Sequence, residues 1–204
     1  MGLLRDVFGP SKDEIWSQLS QEIGARFQAG GLLGTGKVTL SHGQWEITLD
    51  TYAVSTGKSS TTFTRLRAPY VNADGFRFNV FTQGVFDSLR KVFGLQDVSI
   101  GDPSFDDRFI VQSSSEDEIK RLLSNQSIRG LIEAETDVHF QLKDDEGCFR
   151  SSFPAGVDEL CFETHGFVKD IQRLKELFEL FALVLDELCK MGSAYQNAPG
   201  VTLS

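Results

Sequence analysis

The stretch from Gly101 to Glu135 constrains the fold of this chain more than any other. It contains a short apolar run, Phe109-Ile110-Val111, whose length and composition predict a buried strand. Three serines at 113–115 follow, and then three acidic residues that would face the positive end of a helix dipole. Apolar residues then recur at helical spacing in two groups, separated by the polar run 124–127. The stretch therefore predicts a strand followed by two short helices.

The rest of the chain mixes helical and strand periodicities without a regular alternation of the two. Apolar residues on one helical face predict an N-terminal helix over about residues 12–28, ending at Gly30-Gly31. From Lys37 onward, apolar and polar residues alternate in segments joined by short polar turns, which is typical of an antiparallel meander. We therefore expect an α+β fold: a mainly antiparallel sheet with an N-terminal helix, central helices and a long C-terminal helix packed on it.

These patterns divide the chain into three parts. Residues 1–36 would hold the N-terminal helix and a glycine-rich connector, 37–192 a single α+β domain, and 193–204 a flexible tail. The connector approaches the P-loop pattern, but Val38 stands where a Ser or Thr would have to bind magnesium. We therefore expect no nucleotide there, and no cofactor elsewhere, because no cofactor motif is complete.

The C-terminal helix, predicted from Val168 to Met191, is apolar around more than one face. Such a helix has to be covered on two sides, and its own sheet supplies only one cover. The second could be another copy of the chain, an enclosed ligand, or the N-terminal helix. The residues of this interface or pocket would be the large apolar side chains of the stripe and the tryptophan of the first helix: Phe178, Phe181, Leu185, Leu188 and Trp16.

The densest charged cluster consists of Asp102, Asp106, Asp107 and Arg108. Closely spaced carboxylates could bind a divalent cation or act as an acid–base pair. Acidic residues in a turn more often bond their own backbone, and no EF-hand spacing is present. We therefore expect this cluster to be structural and to bind no metal.

A second set of charges lies on a predicted strand over residues 61–68. Arg65 and Arg67 share one face with Phe63, where they could bind a phosphorylated ligand or a single-stranded nucleic acid. They could instead form cross-strand pairs with Glu46, Asp50 or other acids. The net charge of the chain is −9, so its field repels phosphate. We therefore favour the cross-strand pairs.

Composition argues against several classes of function. With 20 basic and 29 acidic residues, general binding of nucleic acid is not expected. The three cysteines form no C-x-x-C pair and the three histidines are scattered, which argues against a disulfide framework and a zinc site. No segment approaches the ~20 uncharged apolar residues of a transmembrane helix. We therefore expect a cytoplasmic protein with reduced thiols.

Several runs of the sequence resemble a bacterial family catalogued only as a domain of unknown function. They include WEITLDTY, TFTRLRAPY, DGFRFNVF and, as the most specific element, Phe105-Asp106 followed by Phe109-Ile110-Val111. The resemblance covers residues 37–167 and implies that family's fold: a β-rich half, an F-D-x-x-F-x-V strand, a helix and a closing β-hairpin. Some members carry transmembrane helices before this domain. The resemblance implies no activity and no catalytic residues.

No catalytic motif is complete in this sequence, which leans against an enzyme. We expect a non-enzymatic interaction or scaffold module that self-associates through the C-terminal helix. The alternative is a small-molecule or lipid-binding domain with an apolar pocket between the sheet and that helix. The first hypothesis needs an accessible helix face, and the second needs an enclosed cavity.

Overall fold

A computed structural model of the protein describes residues 10–31, 35–55, 57, 59–84, 94–144, 153–201 and 203. These residues form helices and one antiparallel sheet, so the predicted α+β class is confirmed. The helices are α1 (Lys12–Ile23), α2 (Pro103–Arg108), α3 (Glu116–Ser124), α4 (Gln126–Ala134) and α5 (Ile171–Met191). The strands are β1 (Arg26–Gln28), β2 (Lys37–His42), β3 (Trp45–Ser55), β4 (Ser60–Asn72), β5 (Phe78–Thr82), β6 (Gln96–Asp97), β7 (Phe109–Ser113), β8 (His139–Lys143), β9 (Val157–His165) and β10 (Ala194–Tyr195).

The ten strands pair in the order β1-β2-β3-β4-β9-β8-β5-β7-β6, and β10 pairs with the end of β4. The longest runs of paired residues join β3 to β4 and β4 to β9, and these three strands form the centre of the sheet. β1 precedes the predicted 37–192 domain and β10 follows it. Segments on both sides of that domain therefore extend the same sheet.

The predicted strand and two helices of the central stretch are confirmed as β7, α3 and α4. Ser115 begins α3, and its side chain accepts a hydrogen bond from the Glu118 amide at 3.4 Å. Asn125 both ends α3 and begins α4, where its side chain accepts from the Ser127 amide at 3.1 Å. These short polar side chains satisfy backbone amides that a helix start leaves unpaired, which is why the chain can break and restart there.

The N-terminal helix is shorter than the sequence predicted. Ser11 and Glu14 form a capping box at its start, but Gly24 adopts a left-handed conformation, with φ 69°, and ends it after Ile23. Residues 26–28, predicted to be helical, pair instead with residues 37–39 of β2. The apolar spacing extends through Phe27, so hydrophobic periodicity alone could not place the helix end.

The two faces of the sheet differ in chemistry. The first face carries an apolar row that crosses neighbouring strands through Leu49, Leu66, Phe162, Phe140 and Val80. α5 packs on this face, and α1, α3 and α4 pack against α5. The second face carries the residues that alternate with these in each strand, and most of them are polar or charged. The second face is therefore where candidate chemistry has to be sought.

Candidate functional site

The five residues predicted as an interface or pocket lie in the chain's own core. Four of them are fully buried and the fifth is 2% exposed: Trp16, Phe181, Leu185, Leu188 and Phe178, in that order. The ring of Phe181 packs 5.8 Å from that of Phe140 on the sheet. The second cover of the C-terminal helix is thus supplied by the chain's own helices. Self-association through these residues would require α5 to leave the core, so an interface has to be sought elsewhere; a ligand between sheet and helix stays a prediction.

The aspartates of the charged cluster have structural roles. Asp102 begins α2 and accepts from the Phe105 amide, while Asp106 accepts from the amides of Ile100 and Gly101 at 3.0 and 3.1 Å. Hydrogen bonds from the neighbouring Ser104 hydroxyl and the Phe105 amide lower the pKa of Asp102. Both carboxylates thereby bond their own backbone, as expected for a turn.

Arg108, the cation of this cluster, ends another helix. Its guanidinium donates to the backbone carbonyls of Glu133 and Glu135, at 2.8 and 2.9 Å. Both carbonyls lie at the C-terminus of α4. Asp107 is exposed. Within the part of the chain that the structure describes, no group of three or more His, Cys, Asp or Glu residues could hold a metal ion.

The predicted cross-strand pairing of the strand arginines is confirmed for Asp50, whereas Glu46, the other acid named, pairs with Arg26. The Asp50 carboxylate accepts from Arg65 Nε at 2.5 Å and from Arg67 Nη2 at 2.6 Å. All three side chains are at least nine-tenths buried, on the second face of β3 and β4. One carboxylate therefore bridges two guanidinium groups that are almost entirely removed from water, and Glu159 lies 3.9 Å from Arg67 Nη1 as a second acid.

A second ion pair lies beside this group. Lys143 Nζ of β8 lies 3.2 Å from Glu159 Oε1 of β9, and the Glu159 side chain is fully buried. Burial raises the pKa of Glu159, although the charges of Lys143 and Arg67 partly offset it. Burial alone would lower the pKa of Lys143, but the acidic groups around it raise it. The second face is thus a continuous set of paired charges.

Glu163 of β9 connects these charges to the end of the sheet. Its two carboxylate oxygens lie 2.9 Å from the Tyr52 hydroxyl, which donates, and 3.1 Å from His139 Nδ1. Burial alone would raise the pKa of Glu163, but the hydrogen bond from His139, the charge of Lys143 and the Tyr52 hydroxyl lower it to about 2. Glu163 is therefore an ionised structural carboxylate over the physiological range.

We expect Glu163→Gln to change the pH dependence of stability. The folded pKa of about 2 lies below the unfolded value of 4.5, so the carboxylate stabilises the fold fully above pH ~5 and progressively less as pH falls toward 2. The wild type should exceed the variant by on the order of 3 kcal/mol above pH ~5, and by almost nothing near pH 2. Urea unfolding at several pH values measures this, and a difference that does not shrink on acidification would contradict it.

The thiol of Cys161 is placed where it cannot act as a nucleophile. It lies on β9 between Arg67 and Gln141 of the neighbouring strands, fully buried. Burial raises the pKa of this thiol well above its ordinary value. Cys161 and His165 do not form a catalytic pair, because they lie four residues apart on one extended strand, roughly 13 Å. His165 Nδ1 lies 2.5 Å from the Asp137 carboxylate instead. Cys148 lies outside the described residues.

We expect Cys161 to resist alkylation in the folded protein. The thiolate is the reactive form, and both burial and the raised pKa remove it. Iodoacetamide labelling followed by site-resolved mass spectrometry should modify the partly exposed Cys189 first, and Cys161 only in denaturant. Labelling of Cys161 at a rate equal to that of Cys189 under native conditions would contradict this placement.

The β3–β4 hairpin extends beyond its neighbours in the sheet. β2 pairs with β3 only as far as Leu49, and β9 pairs with β4 only from Phe63 onward. Between these points, β3 and β4 pair only with each other, up to Ser55 and Ser60. We call residues 51–62 the hairpin arm. Its described residues from Ala53 onward are exposed, and Val54 is 46% exposed.

A row of rings lies at the base of the hairpin arm, on the second face. The Tyr52 and Phe63 rings stack with their centroids 5.2 Å apart, and the His165 ring lies 4.6 Å from that of Phe63. Tyr52 and Phe63 are half-buried, and His165 is exposed. Because Tyr52 and His165 are each hydrogen-bonded to a buried or half-buried carboxylate, the row is held in place before any partner arrives.

Sequence reasoning did not single out Glu163, Glu159, Lys143, Tyr52 or the hairpin arm as candidate sites. One weak signal was available for the first two: Glu159 and Glu163 lie four residues apart on β9, so they share one face, while Leu160 and Phe162 lie on the other. The charges opposite them come from β4 and β8, and that register is not encoded locally. How far the arm extends beyond β2 and β9 is likewise a property of the assembled sheet.

Comparisons with known proteins add little. No family model and no curated protein matches the chain. Among solved structures, the chain is similar to the crystal structure of the mycobacterial trehalose monomycolate transport factor A, TtfA, at 10% sequence identity over 86% of this chain and 93% of that chain, with a TM-score of 0.45. A similarity at this level does not transfer a function. Among the described residues, no helix is long and apolar enough to cross a membrane.

Proposed function

We propose that this protein is a non-enzymatic interaction module that binds a protein partner through the hairpin arm. The observation that supports this most directly is the edge of β3 beyond Leu49: on the side facing away from β4, no described strand pairs with it. Unpaired strand edges present backbone donors and acceptors that another chain can pair with. Ala53, Val54 and Ser55, at the far end of this edge, are also exposed and uncharged, so a partner would displace little bound water from charged groups by covering them.

The rest of the described surface offers less. Val54 and Tyr195 are the exposed large apolar residues of the described chain, and they lie on the hairpin arm and on β10, respectively. Tyr195 belongs to a strand that is already paired with β4. The C-terminal helix buries its apolar residues internally. The hairpin arm is therefore the surface that best fits a partner.

The state of the buried ionisable groups supports a non-enzymatic role. Asp50 is engaged by two arginines, and Glu163 by Tyr52 and His139. Groups that serve as general acids or bases usually have pKa values near the working pH, whereas Glu163 is held near 2. These contacts make the second face rigid, and they already use the carboxylates of Asp50 and Glu163 as hydrogen-bond acceptors.

Site-specific photocrosslinking tests the proposal. A photoreactive amino acid in place of Val54, on the arm, should form a covalent adduct with a protein partner in the native host. The matched control replaces Glu179, which is exposed on α5, away from the arm. Adducts at position 54 but not at 179 are expected. Absence of any protein adduct at position 54 would contradict a binding role for the arm.

A further inference from the structure

We propose that the partner of the hairpin arm is a second copy of this chain, whose β3 pairs antiparallel with the first β3 about Ala53. This rests on the proposed function, because it names the partner of the same surface. The pairing would join two sheets edge to edge around a two-fold axis. Four features of the β3 part of the arm, residues 51–55, support the inference: its backbone orientation, its lack of charge, the contrast with the other edges of the sheet, and its self-complementary sequence.

The backbone of β3 presents its free groups at the open edge. The β2–β3 hairpin closes through His42 and Trp45 with a two-residue loop between them. The closing pair of such a hairpin exchanges both of its hydrogen bonds. Backbone groups of Trp45 therefore face β2, as do those of every second residue after it. Thr51, Ala53 and Ser55 continue this series beyond the end of β2, so their N–H and C=O groups point away from β4; Ala53 and Ser55 are exposed, whereas Thr51 is 8% exposed.

Charge separates this edge from the other edges of the sheet. β1, at one end, exposes Arg26, and β6, at the other, exposes Asp97. Charged residues and very short strands are the usual means by which a sheet edge resists pairing. The run of residues 51–55, Thr-Tyr-Ala-Val-Ser, has neither a charge nor a proline. Two molecules that each carry a net charge of −9 could therefore meet at this edge without bringing like charges together.

The edge is complementary to itself. When Ala53 lies opposite Ala53 of the second copy, Tyr52 lies opposite the second Val54, and Thr51 opposite the second Ser55. Aromatic residues opposite β-branched ones form favourable cross-strand pairs, and this register makes two of them. The three outward-facing pairs would exchange about six backbone hydrogen bonds. Because the edge is short, we expect a weak dimer with a dissociation constant on the order of micromolar.

Charge exchange at position 53 tests this register. Ala53 is exposed and lies on the two-fold axis of the proposed pairing, so Ala53→Lys and Ala53→Glu would each place like charges directly opposite one another. In native mass spectrometry, the wild type should give a species of about twice 22.7 kDa over the range from ~1 µM to ~1 mM. Each variant alone should remain a monomer. An equimolar mixture of the two should restore the dimer as a mixed species, because Lys would face Glu.

The possible outcomes distinguish a wrong partner from a wrong proposed function. A dimer that persists in Ala53→Lys would overturn the β3 pairing, since an interface elsewhere would not depend on this residue. A wild type that stays monomeric while position 54 crosslinks to a different protein would overturn the second copy but leave the interaction module standing. A monomeric wild type without crosslinks would overturn both. Melting temperatures of both variants should stay within about 2 °C of the wild type, because Ala53 is exposed.

Discussion

Asp50→Asn should lower the melting temperature of this protein by roughly 6–20 °C. The wild-type carboxylate accepts hydrogen bonds from Arg65 and Arg67 at 2.5 and 2.6 Å, and both guanidinium groups are more than nine-tenths buried. Asparagine keeps the shape but removes the charge that pairs with Arg65, while Arg67 keeps the more distant Glu159, 3.9 Å from its Nη1. Leaving a buried charge unpaired costs about 3–5 kcal/mol, whereas the pair itself contributes much less, because both ions lose their hydration when the chain folds. The measurement is thermal unfolding at neutral pH.

A matched control lies on the same strand. Glu46 of β3 pairs with Arg26 at 3.0 Å, but both side chains are more than half exposed. Water replaces such a partner at little cost, so Glu46→Gln should change the free energy of unfolding by less than about 1 kcal/mol. If Asp50→Asn were no more destabilising than Glu46→Gln, the buried arginines would have to reach water or another acid. The charges of the second face would then not depend on one another for neutralisation.

The parts of this fold that sequence could predict are those that local residues determine. Ser115 and Asn125 are helix caps because a short polar side chain can reach the next free amides, whatever surrounds it. The alternation around Arg65 and Arg67 places both on one face of a strand because successive side chains point to opposite sides. A pair with an acid of the preceding strand followed, since Glu46 and Asp50 both alternate in step with the arginines, but the register that selects Asp50 belongs to the assembled sheet.

The parts that sequence could not predict depend on contacts between distant segments. Gly24 ends α1 early, but several other glycines after it offered equally good ends, and the pairing of residues 26–28 with β2 decided between them. The C-terminal helix is apolar around more than one face, and the prediction that it has to be covered on two sides is confirmed. The N-terminal helix, α1, was one of the covers considered, and it does pack against α5; that α3 and α4 also do so depends on tertiary packing. For the same reason, residues expected at an interface, such as Phe178, are in the core.

A buried ion pair fastens two helices to the sheet on the first face. Arg173 of α5 makes a two-pronged contact with the carboxylate of Glu135, whose Oε2 lies 2.9 Å from Arg173 Nε, and it also donates to the Thr164 hydroxyl of β9 at 3.3 Å. Glu135 follows the last residue of α4. The two partners differ in burial, because the Glu135 side chain is 3% exposed and that of Arg173 is 31% exposed. Removing one partner should therefore not be equivalent to removing the other.

Arg173→Met should destabilise the protein by about 3–5 kcal/mol, because it leaves the Glu135 carboxylate buried without its cation. Glu135→Gln should cost less, about 1–2 kcal/mol, since water can reach the remaining guanidinium and Thr164 still accepts from it. Lys175→Met on the same helix is the control: its ion pair with Glu22 is about one-third exposed, and its loss should cost less than about 1 kcal/mol. Urea unfolding of the three variants at neutral pH gives the order. If Glu135→Gln were more destabilising than Arg173→Met, this account would be contradicted. The contact would then stabilise the fold through the hydrogen bonds that the Glu135 carboxylate accepts, and not through neutralisation of its buried charge by Arg173.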